Sequence, residues 1–251
     1  MCLAVGAMLN VSAQSFDIPQ NVTDYADFEL NVANNHLWRG IEVTDGLVFT
    51  TSAAVHDKDN HVRAGIWGGT NTSGSYKEFN YFAEFSYAGF KLAFWDTMNF
   101  SPANAADYNV HEFFNYSAHS TGRFLDCILS YDFNKRIPLT LSWSTIIFGR
   151  DRYATDPANR YSTFVYGEYT VAKNDKWAVD LGLGGTFVLN LRDGDSSTFY
   201  SDRPGIIHAL LKLTHNLRIT QAYTIPVHLM AVWNPRMDRA YLQIGATLFS
   251  F

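Results

Sequence analysis

From about residue 24 to the end, this chain alternates with a period of two. In EFNYFAEFSYAGFKLAFW (78–95), Phe79, Tyr81, Ala83, Phe85 and Tyr87 share one parity, and Glu78, Asn80, Phe82, Glu84 and Ser86 the other. That is the period of a β-strand, whose successive side chains point to opposite faces. The pattern recurs along the chain. Phe28, Leu30 and Val32 oppose Asp27, Glu29 and Asn31; Val62, Ala64 and Ile66 oppose Arg63, Gly65 and Trp67. Leu125, Cys127 and Leu129 oppose Asp126, Ile128 and Ser130, and Val165, Gly167 and Tyr169 oppose Phe164, Tyr166 and Glu168. Val179 and Leu181 oppose Asp180, Ala209 and Leu211 oppose His208 and Lys212, and Val227 and Leu229 oppose His228. Counting such segments gives about twelve strands, an even number that lets both chain ends share one side.

The run 78–95 also fixes a hairpin. A two-residue loop at Ala88-Gly89 makes Tyr87 and Phe90 neighbours, then Phe85 with Leu92 and Ala83 with Phe94. On the other face it pairs Ser86 with Lys91 and brings Lys91 within diagonal reach of Glu84. A one-residue slip would destroy the agreement on both faces. Connections alternate in length. HDKDNH (56–61), AG (88–89), NKRIP (134–138) and AKNDK (172–176) are short. Those around 39–46, 68–77, 99–123, 149–160 and 190–205 are longer, and 105–118 is expected inside a long loop.

Alternation alone also fits a soluble β-sandwich. Composition separates the two. Aromatics make up 16% of the 251 residues and charged residues 17%, yet mean hydropathy is only -0.11. The apolar stripes run about 9–11 residues, the length of a tilted strand across a bilayer. Trp38, Trp143 and Trp177 fall near strand ends, where interfacial girdles belong. The polar stripes hold Gly, Ser, Thr and charges of both signs, as a crowded lumen would. The fold class expected is therefore all-β: a transmembrane antiparallel up-and-down barrel with short periplasmic turns and longer extracellular loops, placed in a Gram-negative outer membrane. The last strand, 239–251, conflicts with its own phase. Phe249 and Phe251 share parity with Gln243, while Leu242 and Ile244 lie opposite, so either a bulge resets it or both faces are apolar. Terminal Phe251 resembles the signal by which barrel assembly machinery takes up such strands.

Residues 1–14, MCLAVGAMLNVSAQ, are uncharged and end in small residues, as a secretory signal peptide does, although its basic start is missing. Residues 15–251 then form a single barrel domain. Cys2 falls in the leader, and Cys127 reads as a small apolar strand residue. No Cys/His spacing calls for a metal, no cofactor is implied, and the carboxylates of RDGDSS (192–197) lack the full ligand loop of a calcium site. A net charge of -5 and a pI near 5.9 give no footprint for nucleic acid.

The residues assigned to the lumen by parity are Asp27, Glu29, Arg39, Arg63, Glu84, Lys91, Asp126, Glu168, Asp180, His208, Lys212 and His228. Charged side chains inside a barrel tune ion selectivity, or they pair and fill it. The reading favoured is a porin-like channel for passive diffusion of small polar solutes or ions. The alternative is a non-conducting barrel with a binding or structural role. A barrel lipid hydrolase is disfavoured, because Ser117 and His119 stand in the reverse of the order seen in such sites, with no orienting acid. No catalytic residue is assigned.

HLWRGIEVTDG (36–46) and AGIWGGTN (64–71) carry a family resemblance. Trp38, Arg39, Gly40, Ile41, Thr44, Asp45 and Gly46, then Gly65, Trp67 and Asn71, resemble the TorF-type porins, in a Bacteroidetes-like version. The likeness spans roughly 27–98. It implies an outer-membrane channel-like barrel and brings no ligand with it.

Overall fold

The computed structural model describes residues 20–251, apart from 107, 118, 134–136, 154–157, 193 and 222. The leader assigned to 1–14, and Asp193 of the 192–197 segment, lie outside the described residues. After a single helical turn, Gln20–Thr23, the chain forms twelve strands. They are β1 (Ala26–Trp38), β2 (Ile41–His56), β3 (Val62–Asn71), β4 (Lys77–Tyr87), β5 (Phe90–Asn99) and β6 (Arg123–Asp132). The second half is β7 (Leu139–Gly149), β8 (Ser162–Lys173), β9 (Trp177–Val188), β10 (Gly205–Arg218), β11 (Thr224–Asn234) and β12 (Arg239–Ser250). Each strand is antiparallel to its neighbours in sequence, and β1 pairs with β12 to close the barrel. Closure leaves no unpaired edge, the condition for a sheet in hydrocarbon.

The β4–β5 register is the one the hairpin arithmetic gives: Tyr87↔Phe90, Phe85↔Leu92, Ala83↔Phe94 and Ser86↔Lys91. Large apolar side chains cover the outside. Val55 (66% exposed), Leu183 (56%), Leu242 (55%) and Ile244 (55%) would have no reason to face water, and they suit lipid. The phase conflict in β12 is resolved by a bulge. Opposite β1 the register passes from Leu30↔Phe249 to Asn31↔Thr247, so Leu248 is the extra residue. Phe249 and Phe251 then join Phe28 in one outward ring cluster, at 5.9 and 6.1 Å from Phe28.

Five short turns, at 57–61, 88–89, 133–138, 174–176 and 219–223, occupy one rim; 100–122, 150–161 and 189–204 are the long loops of the other. Two expected long connections are not there: the one around 68–77 shrinks to the five residues 72–76 between β3 and β4. The segment 39–46 is a tight turn of Arg39 and Gly40, and β2 begins at Ile41. Nor does Trp38 join an outer girdle. Its ring lies inside, against Phe124 (5.6 Å), Phe199 (5.9 Å) and Tyr200 (5.2 Å).

Candidate functional site: the barrel lumen

The β1–β2 hairpin bends into the lumen, and bulges are the cause. Between β1 and β2 the register shifts at Ala33/Asn35 and again at His36/Leu37. Each shift leaves residues unpaired and kinks the ribbon. Gly46 sits at the first, with φ +85°, a conformation costly for other residues. Asp45 Oδ1 accepts from Gly46 N at 2.7 Å, and Asn71 Nδ2 on β3 donates to Thr44 Oγ1 at 3.1 Å. The Thr-Asp-Gly segment and the distant Asn71 thus form one brace at the base of the bend.

The tip crosses the barrel. Arg39 ion-pairs with Asp126 on β6, five strands round the wall from β1, and donates a second bond to Tyr200 Oη. Both side chains of the ion pair are almost fully buried. Burial pushes the Tyr200 phenol above its ordinary range, so it keeps its proton while accepting from Arg39. Asn234 on β11 donates to the Gly40 carbonyl at 2.9 Å. Gly40 has φ +81°, and a Cβ there would come within 1.8 Å of the Ile207 carbonyl oxygen. Ile41 and Trp38 pack on Phe124, Ile146, Phe164, Tyr200 and Ile207. Leu37 closes a neighbouring apolar cluster with Leu210, Met230 and Val232. The long-loop half of the lumen is therefore largely occupied by the hairpin tip, by wall aromatics and by Tyr200 from the 189–204 loop, which leave a cavity between the tip and β4–β6. Glycines make room for the wall rings: a Cβ at Gly184 would meet Phe164 at 2.4 Å.

The short-turn half differs. Arg63 on β3 grips Asp27 on β1 through two nitrogens, at 2.7 and 2.8 Å, and reaches Glu84 on β4 at 3.2 Å. Lys91 lies 3.8 Å from Glu84, so Arg63 rather than Lys91 is the nearer partner of that carboxylate. Arg63 also stacks over Phe82 at 4.7 Å. On the opposite wall Lys212 is cross-strand from Asp180, which accepts from Thr170 at 2.7 Å. Glu168 accepts from Tyr166 at 2.7 Å, and His228 Nε2 faces Gln243 Oε1 at 3.3 Å. His208, at the long-loop end of β10, is instead buried in the other half against Tyr166, with ring centroids 5.3 Å apart. Glu29 lies on the Asp27 parity, exposed, and accepts from Asn31. Around it Thr50, Ser52, Thr214 and Thr247 are half-buried and polar. Polar and charged side chains, several of them ion-paired, thus line much of this half beside the buried apolar cluster of Ala54, Trp67, Phe82, Ala93, Trp95 and Ile128.

Two features carry no local sequence signal. Tyr200 and Asn234 hold the tip from a loop and a strand end that are remote from it in sequence. Arg123 and Asp96 form an ion pair of 2.7 Å on the outward parity, with Arg123 only 1% exposed. Phe113 and Tyr116 from the 100–122 loop lie over Arg123 at 4.4 and 5.1 Å, and Phe113 O accepts from Arg123 Nε at 2.7 Å. That loop, which holds Ser117 and His119, is thus pinned to the outside of the wall. At the other rim Asp57, Asp59 and His61 bring ligand atoms within 4.8 Å of one another, all exposed. A backbone bond from Val62 holds the Asp57 carboxyl below its usual range.

No family model and no curated protein matches the chain. Among solved structures it is similar to a chain from work on the mechanism of in-meso crystallization of membrane proteins, at 10% identity and a TM-score of 0.49, over 90% of this chain and 83% of that one. It is also similar to an outer membrane channel from Pseudomonas putida F1, at 11% identity and a TM-score of 0.40, over 90% and 94%. A bacterial polysaccharide outer membrane secretin shares 10% identity at a TM-score of 0.39, over 90% and 97%. At this level of similarity no residue role transfers.

Proposed function

We propose that this chain is an outer-membrane channel for small polar solutes, held closed in the conformation described by its own β1–β2 hairpin. One observation carries the reading. The element that blocks the long-loop half is a bent hairpin tip, fastened to the far wall by the Arg39–Asp126 ion pair, to the 189–204 loop by the Tyr200 bond and to β11, two strands from β1, by the Asn234 bond. Below it the barrel interior carries many polar and charged groups. A barrel closed only by wall side chains, as narrow barrels are, needs no such arm. The resemblance to TorF-type porins belongs with this proposal, since HLWRGIEVTDG is the segment that forms the bent tip. The apolar outer belt supports the membrane location.

Liposome swelling tests the reading. Proteoliposomes with the native chain should swell slowly in small sugars. Arg39→Ala, which strands the Asp126 carboxylate and frees the tip, should swell several times faster. Equal, negligible rates for both would favour instead a barrel closed throughout, with Trp67, Phe82, Trp95 and Ile128 as a permanent apolar block.

A further inference from the structure

Between the hairpin tip and the wall of β4–β6 lies a cavity of about 230 Å³. Its lining includes two indoles, Trp38 and Trp95, and two phenyl rings, Phe124 and Phe199. Polar groups converge among them. Asp126, 3% exposed, spends Oδ2 on Arg39, while its buried Oδ1 has no hydrogen-bond partner among the described residues. Trp95, 6% exposed and stacked on Phe82 at 4.4 Å, has a buried Nε1–H that likewise meets no partner among the described residues. Buried polar atoms are nearly always satisfied, and each left alone costs the desolvation of that group. Here an orphan acceptor and an orphan donor belong to the walls of the same cavity. That combination of apolar rings with a few placed polar atoms is how small-molecule sites are built.

Charge narrows the ligand. Arg39 and Arg150 among the lining residues are balanced by Glu78 and Asp126. A charged guest would bring an uncompensated charge into a buried place, which is heavily disfavoured. Aromatic faces are electron-rich and favour the polarised C–H groups of a sugar ring, while its hydroxyls both donate and accept. We propose that this cavity is a binding site for a neutral sugar-sized ring bearing hydroxyls, one hydroxyl donating to Asp126 Oδ1 and another accepting from Trp95 Nε1. The inference rests on the channel reading only in treating that ring as the solute presented for passage; binding itself needs no open lumen.

The test is a titration of the folded barrel in detergent, followed by tryptophan fluorescence and by calorimetry. The probes are glucose, N-acetylglucosamine and myo-inositol as neutral rings, with gluconate and inorganic phosphate as charged controls. At least one neutral ring should bind saturably at millimolar concentration, and both anions should fail. Trp95→Phe keeps the stack on Phe82 but deletes the donor, so affinity should fall about three- to tenfold, the loss of one hydrogen bond. Asp126→Asn should also weaken binding, while the heat-modifiable mobility of the barrel on gels reports that both variants fold. Failure of every neutral ring to bind, meaning a cavity filled by water only, overturns the proposal. So does tighter binding of an anion, or an unchanged affinity in folded Trp95→Phe. Conduction by Arg39→Ala with no ring bound by the native barrel sinks this inference alone; binding by the native barrel with Arg39→Ala as silent as the native chain sinks only the channel reading.

Discussion

At the scale of single residues, Gly40 and Arg63 are the most constrained positions. Gly40 combines a positive φ with a contact that leaves no room for a methyl group. Gly40→Ala should therefore expel the tip from its seat, with planar-bilayer current rising above the native level while the strand content by circular dichroism stays unchanged. Arg63 serves two carboxylates, and Lys91 stands at the edge of the same group. Arg63→Ala leaves Asp27 and Glu84 facing each other without their nearest cation. Between the surface and buried limits for ion pairs, that costs about 1–3 kcal/mol in urea unfolding, with Lys91→Ala costing under about 1 kcal/mol. The proximity of Glu84 and Lys91 follows from local hairpin register. The closer Arg63 does not, because in sequence it is merely a charge of matching parity one strand away, with nothing to rank it against Lys91.

At the scale of elements, the bent hairpin dominates. Its bend depends on two bulges, and Gly46 occupies a backbone conformation that costs other residues about 1–2 kcal/mol. Gly46→Val should straighten the ribbon and raise solute flux in the same direction as loss of Arg39, though less completely. The second device is the outer clasp. Arg123→Ala removes the guanidinium that holds Phe113 and Tyr116, so chymotrypsin should cut the 100–122 loop several times faster than in the native barrel. Twelve strands, their pairing and the β4–β5 register were legible, because alternation and turn length are local. Arg39 was assigned inward by parity, but the inward turn of Trp38 and the bend that carries both across the lumen were not legible. An aromatic at a strand end followed by Arg-Gly reads equally as a girdle and a loop, and the partners that decide it, Asp126, Tyr200 and Asn234, are remote in sequence. The bulge at Leu248 was legible only as a conflict of phase.

At the scale of the whole molecule, the wall separates two environments. Ile244 lies mid-strand on the outer face, 55% exposed. Ile244→Arg should cost about 2–4 kcal/mol when unfolding is measured in a bilayer, as for a charge on the lipid face near mid-plane. Thr50→Arg, on the inward parity of β2, should leave stability nearly unchanged and shift ion selectivity instead. The central claim is that the hairpin tip, and not the wall, closes the passage. Single-channel recording with Trp38–Ile41 replaced by a two-residue Asn-Gly turn tests it most directly, since that shorter loop keeps the hairpin but removes the arm. The native barrel should be nearly silent, and the shortened one should show long, stepwise openings. A shortened barrel that folds and inserts yet stays silent would contradict the claim.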